Sequence, residues 1–431
     1  MNKPLAIVSA PVDTYSGYGA RARDFIKALI KCDKYDVKIL GQRWGNTRFG
    51  YLQDHNEVDL AKRMIPKIET KPKLWIQVTV PNEFQPVGEY NIGVTAGIET
   101  TLCDAGWIEG MNRMNLILTS SEHSKKVLGE TTYDVQNKQT GEKSTFKTNK
   151  PIEVLFEGVD TEIYNIKKYN KNSKVVKSLD EIKESFCFLF VGHWLQGEHT
   201  HDRKNIGGMI ESFLTTFKTQ RIKPALVIKT QAASSSIMDK EDILNKIDYV
   251  RKKVGGSLPN IYLLHGELND SEINDLYNHP KIKAMVNLTR GEGFGRPLLE
   301  FTTTGKPILA SAWSGHTDFL RSDLSFLVGG KLEQIHSSAV IQKMLLPESK
   351  WFTFDPRHAK DLFKFIFKKY NKAIAKSRTQ KNITLKYFTF EKMQEELSKV
   401  VEKYVPFFPT ENTFKPVLPS KIELPKRPVN K

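Results

Sequence analysis

Short apolar segments alternate with amphipathic segments along most of this chain, and that alternation constrains its fold more than any other feature. Segments rich in β-branched and aromatic residues predict strands, and the helical periodicity between them predicts crossover helices that join parallel strands. The first predicted helix covers residues 20–31, where Phe25, Ile26, Leu29 and Ile30 share one face. The first predicted strands are LAIVSA, YDVKIL, LWIQVTV, NIGVTAGI, NLILTSS and IEVLFEG.

A Lys-, Asn- and Ser-rich segment between Asp160 and Glu184 interrupts the alternation, and its polarity is typical of an interdomain connection. A second series of predicted strands follows, namely SFCFLFVG, ALVIKTQ, IYLLHG, KAMVNLT, KPILASA and LSFLVGG. The helices predicted between them lie near residues 205–219, 241–253, 271–278 and 297–304. We therefore predict an α/β fold with two Rossmann-like, doubly wound parallel sheets in tandem.

The net charge of the chain indicates that its binding partners are anionic, but it does not indicate which class of anion they belong to. Lys and Arg exceed Asp and Glu by 65 − 49 = +16, which favours anions such as nucleotides, nucleic acid or acidic membranes. Three widely spaced cysteines, Cys32, Cys103 and Cys187, argue against a disulfide framework. We find no apolar stretch of about 18 residues and no signal-peptide core, so we expect a cytoplasmic protein without a transmembrane segment.

One loop of the second series carries the most informative motif. A strand ending near Thr289 runs into Arg290-Gly291-Glu292-Gly293-Phe294-Gly295, and Pro297 stands where a helix should begin. Glycines and the free amides of a helix start predict an anion site at the carboxyl edge of the sheet. Glu292 and Glu300, with seven residues between them, suit hydroxyl groups better than phosphate, and sugar and ribose diols fit such carboxylates.

The stretch GEGFGRPLLE, followed by GKPILASAWSG, resembles the Glu-x7-Glu signature of retaining nucleotide-sugar glycosyltransferases with the GT-B fold, particularly glycosyltransferase family 4. The resemblance implies that Glu292 contacts the donor sugar and that Glu300 binds the nucleotide ribose. It also implies that the amides of Gly293, Phe294 and Gly295 lie against the sugar and phosphate.

A second element, SFCFLFVGHWLQGEHTHDRKNIGG, places Arg203 and Lys204 at a helix start near Asn205, where cations and the helix dipole favour a diphosphate. Glycosyltransferases of this family place a Lys here, and many place an Arg directly after the strand-ending glycine. This chain has His193 after Gly192, so the second phosphate contact stays open and Arg203 could supply it. Further predicted donor contacts are Gly192, His193 and Lys229, the last in ALVIKT, a segment that also resembles these enzymes.

The resemblance implies that the N-terminal domain binds the acceptor. Gly17, in the loop Tyr15-Ser16-Gly17-Tyr18-Gly19, is predicted to contact the donor, although it could serve only a tight turn. Tyr18 and Glu99 are predicted acceptor contacts. The opening VDTYSGYGARARD is similar to glycosyltransferase-like proteins of large tailed phages, which would place the chain in a host cytoplasm.

We predict five segments: an acceptor domain over 1–165, a linker over 166–184, a donor domain over 185–389, a helix over 390–405 that crosses back to the first domain, and a Pro-rich tail over 406–431. Lys204, Arg203 and Glu292 are the predicted catalytic residues, because they would stabilise the departing diphosphate and orient the donor sugar. We expect retention of anomeric configuration, no cofactor besides the donor substrate and no metal. The cluster of His193, His199, His201 and Asp202 is the alternative metal candidate.

Simpler interpretations accompany each of these assignments. The two glutamates could cap a helix, and Arg203 with Lys204 could be a solvated pair. The segment 357–392 carries 11 Lys and Arg against 2 Asp and Glu, which fits a solvated helix face or contact with nucleic acid or an anionic surface. Three functions therefore remain: a transferase acting on a glycan, lipid-linked sugar or small molecule, one acting on a hydroxylated base of DNA, or a non-catalytic sugar-nucleotide-binding protein.

Overall fold

The structure is a computed structural model that describes residues 3–136, 140–194, 197, 200–231 and 236–408. Its strands are β1 (Leu5–Ala10), β2 (Asp36–Gly41), β3 (Met64–Ile65), β4 (Leu74–Val78), β5 (Tyr90–Val94), β6 (Leu116–Thr119), β7 (Tyr133–Gln136), β8 (Lys143–Phe146), β9 (Ile152–Val154), β10 (Cys187–Val191), β11 (Ala225–Thr230), β12 (Ile261–His265), β13 (Ile282–Asn287), β14 (Ile308–Ser311), β15 (Phe326–Val328), β16 (Gly330–Gln334) and β17 (Lys350–Phe354). Its α-helices are α1 (Gly17–Lys31), α2 (Tyr51–Asp54), α3 (Val58–Lys62), α4 (Ala105–Arg113), α5 (Glu122–Glu130), α6 (Lys174–Asp180), α7 (Ile206–Phe217), α8 (Ile237–Val254), α9 (Asp270–Asn278), α10 (Arg296–Thr302), α11 (Pro356–Lys368), α12 (Tyr370–Tyr387) and α13 (Phe390–Tyr404).

Two parallel sheets organise these elements, as the sequence predicts. The first sheet has the strand order β3-β2-β1-β4-β5-β6-β9, and the second has the order β12-β11-β10-β13-β14-β15. Every described pairing within them is parallel. In each sheet the direction of strand addition reverses at the centre, beside β1 in the first and beside β10 in the second. Ligands of such folds bind at the carboxyl ends of the strands next to that reversal.

Apolar packing on both faces explains why the strands are almost continuously hydrophobic. In β1, Val8 packs into one core with Phe25 and Leu29 of α1, whereas the neighbouring Ile7 faces a second core with Trp75. This alternation is what a strand gives when helices cover both sides of its sheet. The same two-sided burial holds for β10, where Phe188 and Leu189 lie in different cores.

The helix α13 returns to the first sheet. Met393, Leu397 and Val401 of α13 are buried in the same core as Phe25 and Leu29 of α1. Its approach is fixed by two backbone hydrogen bonds, from the Val159 amide to the Phe388 carbonyl at 2.9 Å and from the Phe390 amide to the Val159 carbonyl at 2.9 Å. The chain therefore passes between the two sheets twice, and the two passages are bonded to each other.

Three parts of the chain differ from the sequence expectation. The polar segment 166–184 contains α6, whose Val175 and Leu179 are buried against the second sheet. The sequence of residues 358–377 predicts one helical stretch, but in the structure these residues belong to two helices, α11 and α12, which are separated at Lys369. Two antiparallel hairpins, β7 with β8 and β16 with β17, were not predicted. Most of the predicted tail, residues 409–431, lies outside the described residues.

Among the helices of the described residues, none is both long enough and apolar enough to cross a membrane.

Candidate active site

The Gly-rich loop between β13 and α10 lies directly against the first domain. A Cβ atom at Gly291 would be 2.1 Å from the Glu99 carbonyl oxygen, and one at Gly293 would be 2.2 Å from that of Ala96, so larger residues would force the two apart. The Ser120 hydroxyl, 3.1 Å from the Gly293 carbonyl oxygen, adds a polar contact. These contacts bring the carboxyl edges of the two sheets face to face.

The start of α10 also depends on a glycine. Gly295 has a φ of 96°, a left-handed conformation that disfavours other residues, and it turns the chain from the loop into the helix. The Phe294 side chain points into the core, with its ring centroid 5.0 Å from that of Phe319. Only the backbone of Phe294 is therefore available for the ligand contact that the sequence predicts.

Lys204, which precedes α7, forms a buried ion pair with Glu292 of the Gly-rich loop. Their side chains are 14% and 8% exposed. Glu292 also accepts a hydrogen bond from the Asn287 amide at 3.1 Å. Burial alone would raise the pKa of Glu292, but Lys204 and Arg203 outweigh it and lower the pKa below the usual value. The loop thus holds a fixed, ionised carboxylate next to a cation.

Arg203 pairs with a carboxylate of the opposite domain. Its Nη1 atom lies 3.0 Å from Oε1 of Glu99. Burial acts to lower the pKa of Arg203, and the nearby Glu99 and Glu292 outweigh it and raise that pKa. The structure therefore joins a residue predicted to bind the donor to one predicted to bind the acceptor.

The sequence predicts Glu300 in the first turn of the helix, whereas the structure places it in the second turn of α10. It is buried and accepts hydrogen bonds from Nε of Arg296 at 2.9 Å and from the Tyr277 hydroxyl at 3.3 Å. Burial raises the pKa of Glu300 to about 7, because it outweighs the stabilising charge of Arg296. Near neutral pH this carboxyl group therefore exchanges a proton, unlike Glu292.

Arg296 is a site residue that the sequence analysis missed. Its guanidinium contacts Asp24 of α1 and lies 3.7 Å from Glu157, so it crosses from the second domain to the first. The spacing of Arg296 and Glu300, four residues apart on one helix, was a signal for their pairing. No sequence signal connects Arg296 with Asp24, which is 272 residues away.

Two histidines beside the loop were also missed. His123, near the start of α5, has its ring centroid 4.6 Å from that of Trp313, and burial with the nearby His316 lowers its pKa to about 4. Nε2 of His316 lies 2.6 Å from the Ser311 carbonyl oxygen. Within the described residues, Nε2 of His123 and Nδ1 of His316 are buried without a hydrogen-bond partner.

The other predicted donor residues lie at the ends of β10 and β11. The Gly192 amide donates to the Lys229 carbonyl oxygen at 3.1 Å, which places these residues side by side. Burial lowers the pKa of Lys229 to about 8, and Glu267 opposes that change. His193 is exposed in the loop that follows.

The histidine cluster is only partly described, because His199 lies outside the described residues. The ring of His201 stacks on that of His336, with 4.0 Å between centroids. Over the described parts of the chain, no group of three or more His, Cys, Asp or Glu is arranged to hold a metal ion.

Two predicted ligand contacts, Gly17 and Tyr18, lie at the start of α1, and they differ in how accessible they are. Gly17 begins α1, and a Cβ atom there would meet nothing within 4 Å. Tyr18 stacks on Trp44 with 3.9 Å between ring centroids, and its hydroxyl lies 2.9 Å from that of Thr95. Burial raises the pKa of Tyr18 to about 12, so it stays protonated. Gly17 is thus accessible to a ligand, whereas Tyr18 is held by its neighbours.

Comparison with known proteins identifies the fold. No protein-family model and no curated protein matches the sequence. Among solved structures, a glycosyltransferase from Rickettsia africae is 12% identical, with 94% of this chain and 99% of that chain covered and a TM-score of 0.63. Anabaena HepE, solved in complex with UDP-glucose, is 12% identical, with 93% and 100% covered and a TM-score of 0.61. Sucrose-phosphate synthase from Thermosynechococcus elongatus is 11% identical, with 93% and 99% covered and a TM-score of 0.59.

These similarities extend over both sheets and nearly the full length of each solved chain. The fold is that of the GT-B glycosyltransferases: two Rossmann-like domains whose carboxyl edges face each other across a cleft. At these identities the likeness defines the fold, and the chemistry must be argued from the residues in the cleft.

Proposed function

We propose that this protein is a retaining glycosyltransferase that moves a sugar from a nucleotide-diphosphate sugar to an acceptor hydroxyl. The observation that carries the proposal is the buried pair of Lys204 and Glu292 beside Arg203. Both cations directly precede α7, at the carboxyl edge of the second sheet and next to its reversal point. A cation pair at a helix start suits a diphosphate, and a fixed carboxylate suits the hydroxyls of a sugar.

The chemistry follows from those positions. As the bond between the sugar and the diphosphate breaks, negative charge grows on the phosphate oxygens. Lys204, Arg203 and the amides of Gly293 to Gly295 would stabilise that charge in a site that excludes water, an effect worth several kcal/mol. Glu292 would orient the sugar and stabilise positive charge at its anomeric carbon. No dedicated general base is assigned, since the departing phosphate can accept the proton of the acceptor.

The binding of UDP-glucose by HepE, which has this fold, supports a sugar nucleotide as the donor. We assign the acceptor to the first domain, over residues 1–165, and the donor to the second domain, over residues 185–389. The acceptor is a glycan, lipid-linked sugar or small molecule. Membership of glycosyltransferase family 4, a phage origin and a cytoplasmic location belong to this proposal and rest on the sequence motifs.

A second candidate is a transferase that acts on a hydroxylated base of DNA, and the surface of α11 and α12 favours it. Eight cations of α11, of α12 and of the residue between them are exposed: Arg357, Lys360, Lys368, Lys369, Lys372, Lys376, Arg378 and Lys386. None of them forms an ion pair with the described part of the chain. Binding to duplex DNA that weakens steeply with salt would support this candidate, and absence of binding at low salt would exclude it.

The decisive experiment measures nucleotide release from UDP-, GDP- and ADP-sugars in the presence of each acceptor class. We expect one donor to be turned over, with the product keeping the anomeric configuration of the donor. Nucleotide binding without turnover under any condition would instead indicate a sugar-nucleotide-binding protein without activity. Inversion of configuration would contradict the retaining mechanism.

Replacing Glu300 tests the ribose contact. We expect Glu300→Gln to weaken binding of the selected nucleotide about tenfold, because the carboxylate acceptor is lost. Isothermal titration calorimetry with the nucleoside diphosphate measures this, and unchanged affinity would overturn the assignment.

The same variant has an opposite effect on stability. Because the folded pKa of about 7 exceeds the unfolded value, the proton bound by Glu300 stabilises the fold at low pH, and that stabilisation is lost as the pH rises through 7. Glu300→Gln should therefore raise the melting temperature more at pH 8 than at pH 5. A rise independent of pH would show that the buried charge is not its cause.

Lys229 predicts a pH dependence of donor binding. Its lowered pKa of about 8 means that its positive charge is present below pH 8 and is lost above it. We expect the affinity for the nucleoside diphosphate to fall between pH 7 and pH 9 by about threefold to tenfold. Lys229→Met should bind more weakly at pH 7 and show a flat profile, measured by calorimetry at both values. If the affinity of Lys229→Met fell with pH as steeply as that of wild type, the pH dependence would belong to another titrating group.

A further inference from the structure

The ion pair of Arg203 and Glu99 joins the two domains at the place where we expect the donor diphosphate to bind. Glu99 follows β5 in the first domain, and Arg203 precedes α7 in the second. The contact of 3.0 Å thus spans the cleft at the level of the Gly-rich loop. The two side chains are 20% and 28% exposed, so both remain within reach of a molecule that enters from solvent.

Backbone contacts fix both ends of this pair. The Glu99 carbonyl lies against Gly291, where even a Cβ atom would come within 2.1 Å. The carbonyl of Arg203 accepts hydrogen bonds from the Arg290 amide at 3.0 Å and from the Thr289 hydroxyl at 3.2 Å. Because both backbones are held, the pair can separate only by movement of the side chains or by movement of the two domains.

Two carboxylates balance the charges of Arg203 and Lys204 without a ligand. Arg203 and Lys204 face two carboxylates, Glu99 and Glu292. A bound diphosphate would add at least two negative charges to this partly buried group, and repulsion between like charges favours the departure of one carboxylate. Glu292 is buried and fixed by Lys204 and Asn287. Glu99 is more exposed and is paired with Arg203, so it is the carboxylate that can leave.

We propose that Glu99 is a positioning residue that occupies Arg203 in the free protein and leaves it when the donor diphosphate binds. This inference rests on the proposed function and revises the role of Glu99 as a simple acceptor contact. Donor binding then releases a carboxylate on the acceptor side of the cleft. The Glu99 carboxylate acts as an internal competitor for the diphosphate.

A double-mutant cycle on the full chain tests the proposal. Binding of UDP, GDP, ADP and inorganic pyrophosphate is measured by calorimetry for wild type, Glu99→Gln, Arg203→Gln and the double variant. Removing the competing charge should tighten binding of the nucleotide and of pyrophosphate by about fivefold to tenfold when Arg203 is present. In the Arg203→Gln background the same substitution should change the affinity less than about twofold.

Thr101→Val is the matched control. The Thr101 hydroxyl accepts a hydrogen bond from the Lys350 amide at 2.9 Å, so this variant breaks a contact between the domains on the same loop but leaves Arg203 paired. Its affinity should equal that of wild type. Equal tightening in Thr101→Val and Glu99→Gln would indicate general loosening of the cleft and would overturn the proposal.

The remaining outcomes separate this inference from the function on which it rests. Unchanged or weaker binding by Glu99→Gln, or tightening that persists without Arg203, would contradict competition by Glu99. If no nucleotide binds to any variant but pyrophosphate binds more tightly to Glu99→Gln, the proposed donor is wrong and the competition stands. If neither nucleotides nor pyrophosphate bind to any variant, both fail.

Discussion

Lys204→Met is expected to abolish sugar transfer and to destabilise the protein. Without the ammonium group, the buried Glu292 carboxylate loses its cation, and leaving one charge of a buried pair uncompensated costs about 3–5 kcal/mol. The same change removes a contact of the donor diphosphate, so binding of the nucleoside diphosphate should weaken by more than about a hundredfold. Urea denaturation and calorimetry measure the two effects separately.

The double variant Lys204→Met with Glu292→Gln distinguishes folding from function. Because neither member of the pair is then charged, we expect most of the stability to return, while transfer stays undetectable. Recovery of transfer would show that the pair is structural. A Lys204→Met protein as stable as wild type would show that Glu292 finds water or another donor.

Arg296→Met is expected to have the second-largest effect, on stability and on its dependence on pH. This one cation serves Asp24, Glu157 and Glu300, whose side chains are 17%, 9% and 7% exposed. We expect a loss of about 3–5 kcal/mol at pH 8, for the same reason as at Lys204. Thermal melting at several pH values measures it.

The pH profile of Arg296→Met identifies the cause. Burial raises the pKa of Glu157 and raises that of Glu300 to about 7, so the Glu300 carboxyl group takes up a proton between pH 8 and pH 5. The difference between the variant and wild type should therefore shrink between pH 8 and pH 5. Arg321→Met is the control, because its pair with Asp323 is exposed and its loss should leave the melting temperature unchanged. A deficit independent of pH would show that packing of the Arg296 side chain matters more than its charge.

The two sheets could be predicted because each central strand carries its own signal. Segments such as LAIVSA and SFCFLFVG are apolar on both faces, and the structure confirms them as β1 and β10. The hairpin of β16 and β17 could not be predicted because GKLEQ is mostly exposed and has no run of apolar residues. It forms a strand by pairing with KWFTF. The helix α6 was not predicted because its three buried apolar residues, Val175, Val176 and Leu179, lie in a segment rich in lysine and asparagine, where they give only a weak helical pattern.

The candidate site could be predicted only within each domain. The motif GEGFGRPLLE located Glu292 and Glu300, and the element before α7 located Arg203 and Lys204, because local spacing carries that information. The partners across the cleft could not be predicted. Whether Arg203 meets Glu99, or Arg296 meets Asp24, depends on how the two sheets face each other, and a single sequence does not encode that in a local pattern.

The return of α13 has a consequence for the order in which the protein is made. The core of the first sheet contains Met393, Leu397 and Val401, which leave the ribosome after every strand of the second sheet. Domains usually fold as units during synthesis, beginning with the N-terminal one. Here the first domain emerges early with one side of its core uncovered, and it is completed only when α13 has been synthesised. The second domain, although later in sequence, is the first that can fold to completion.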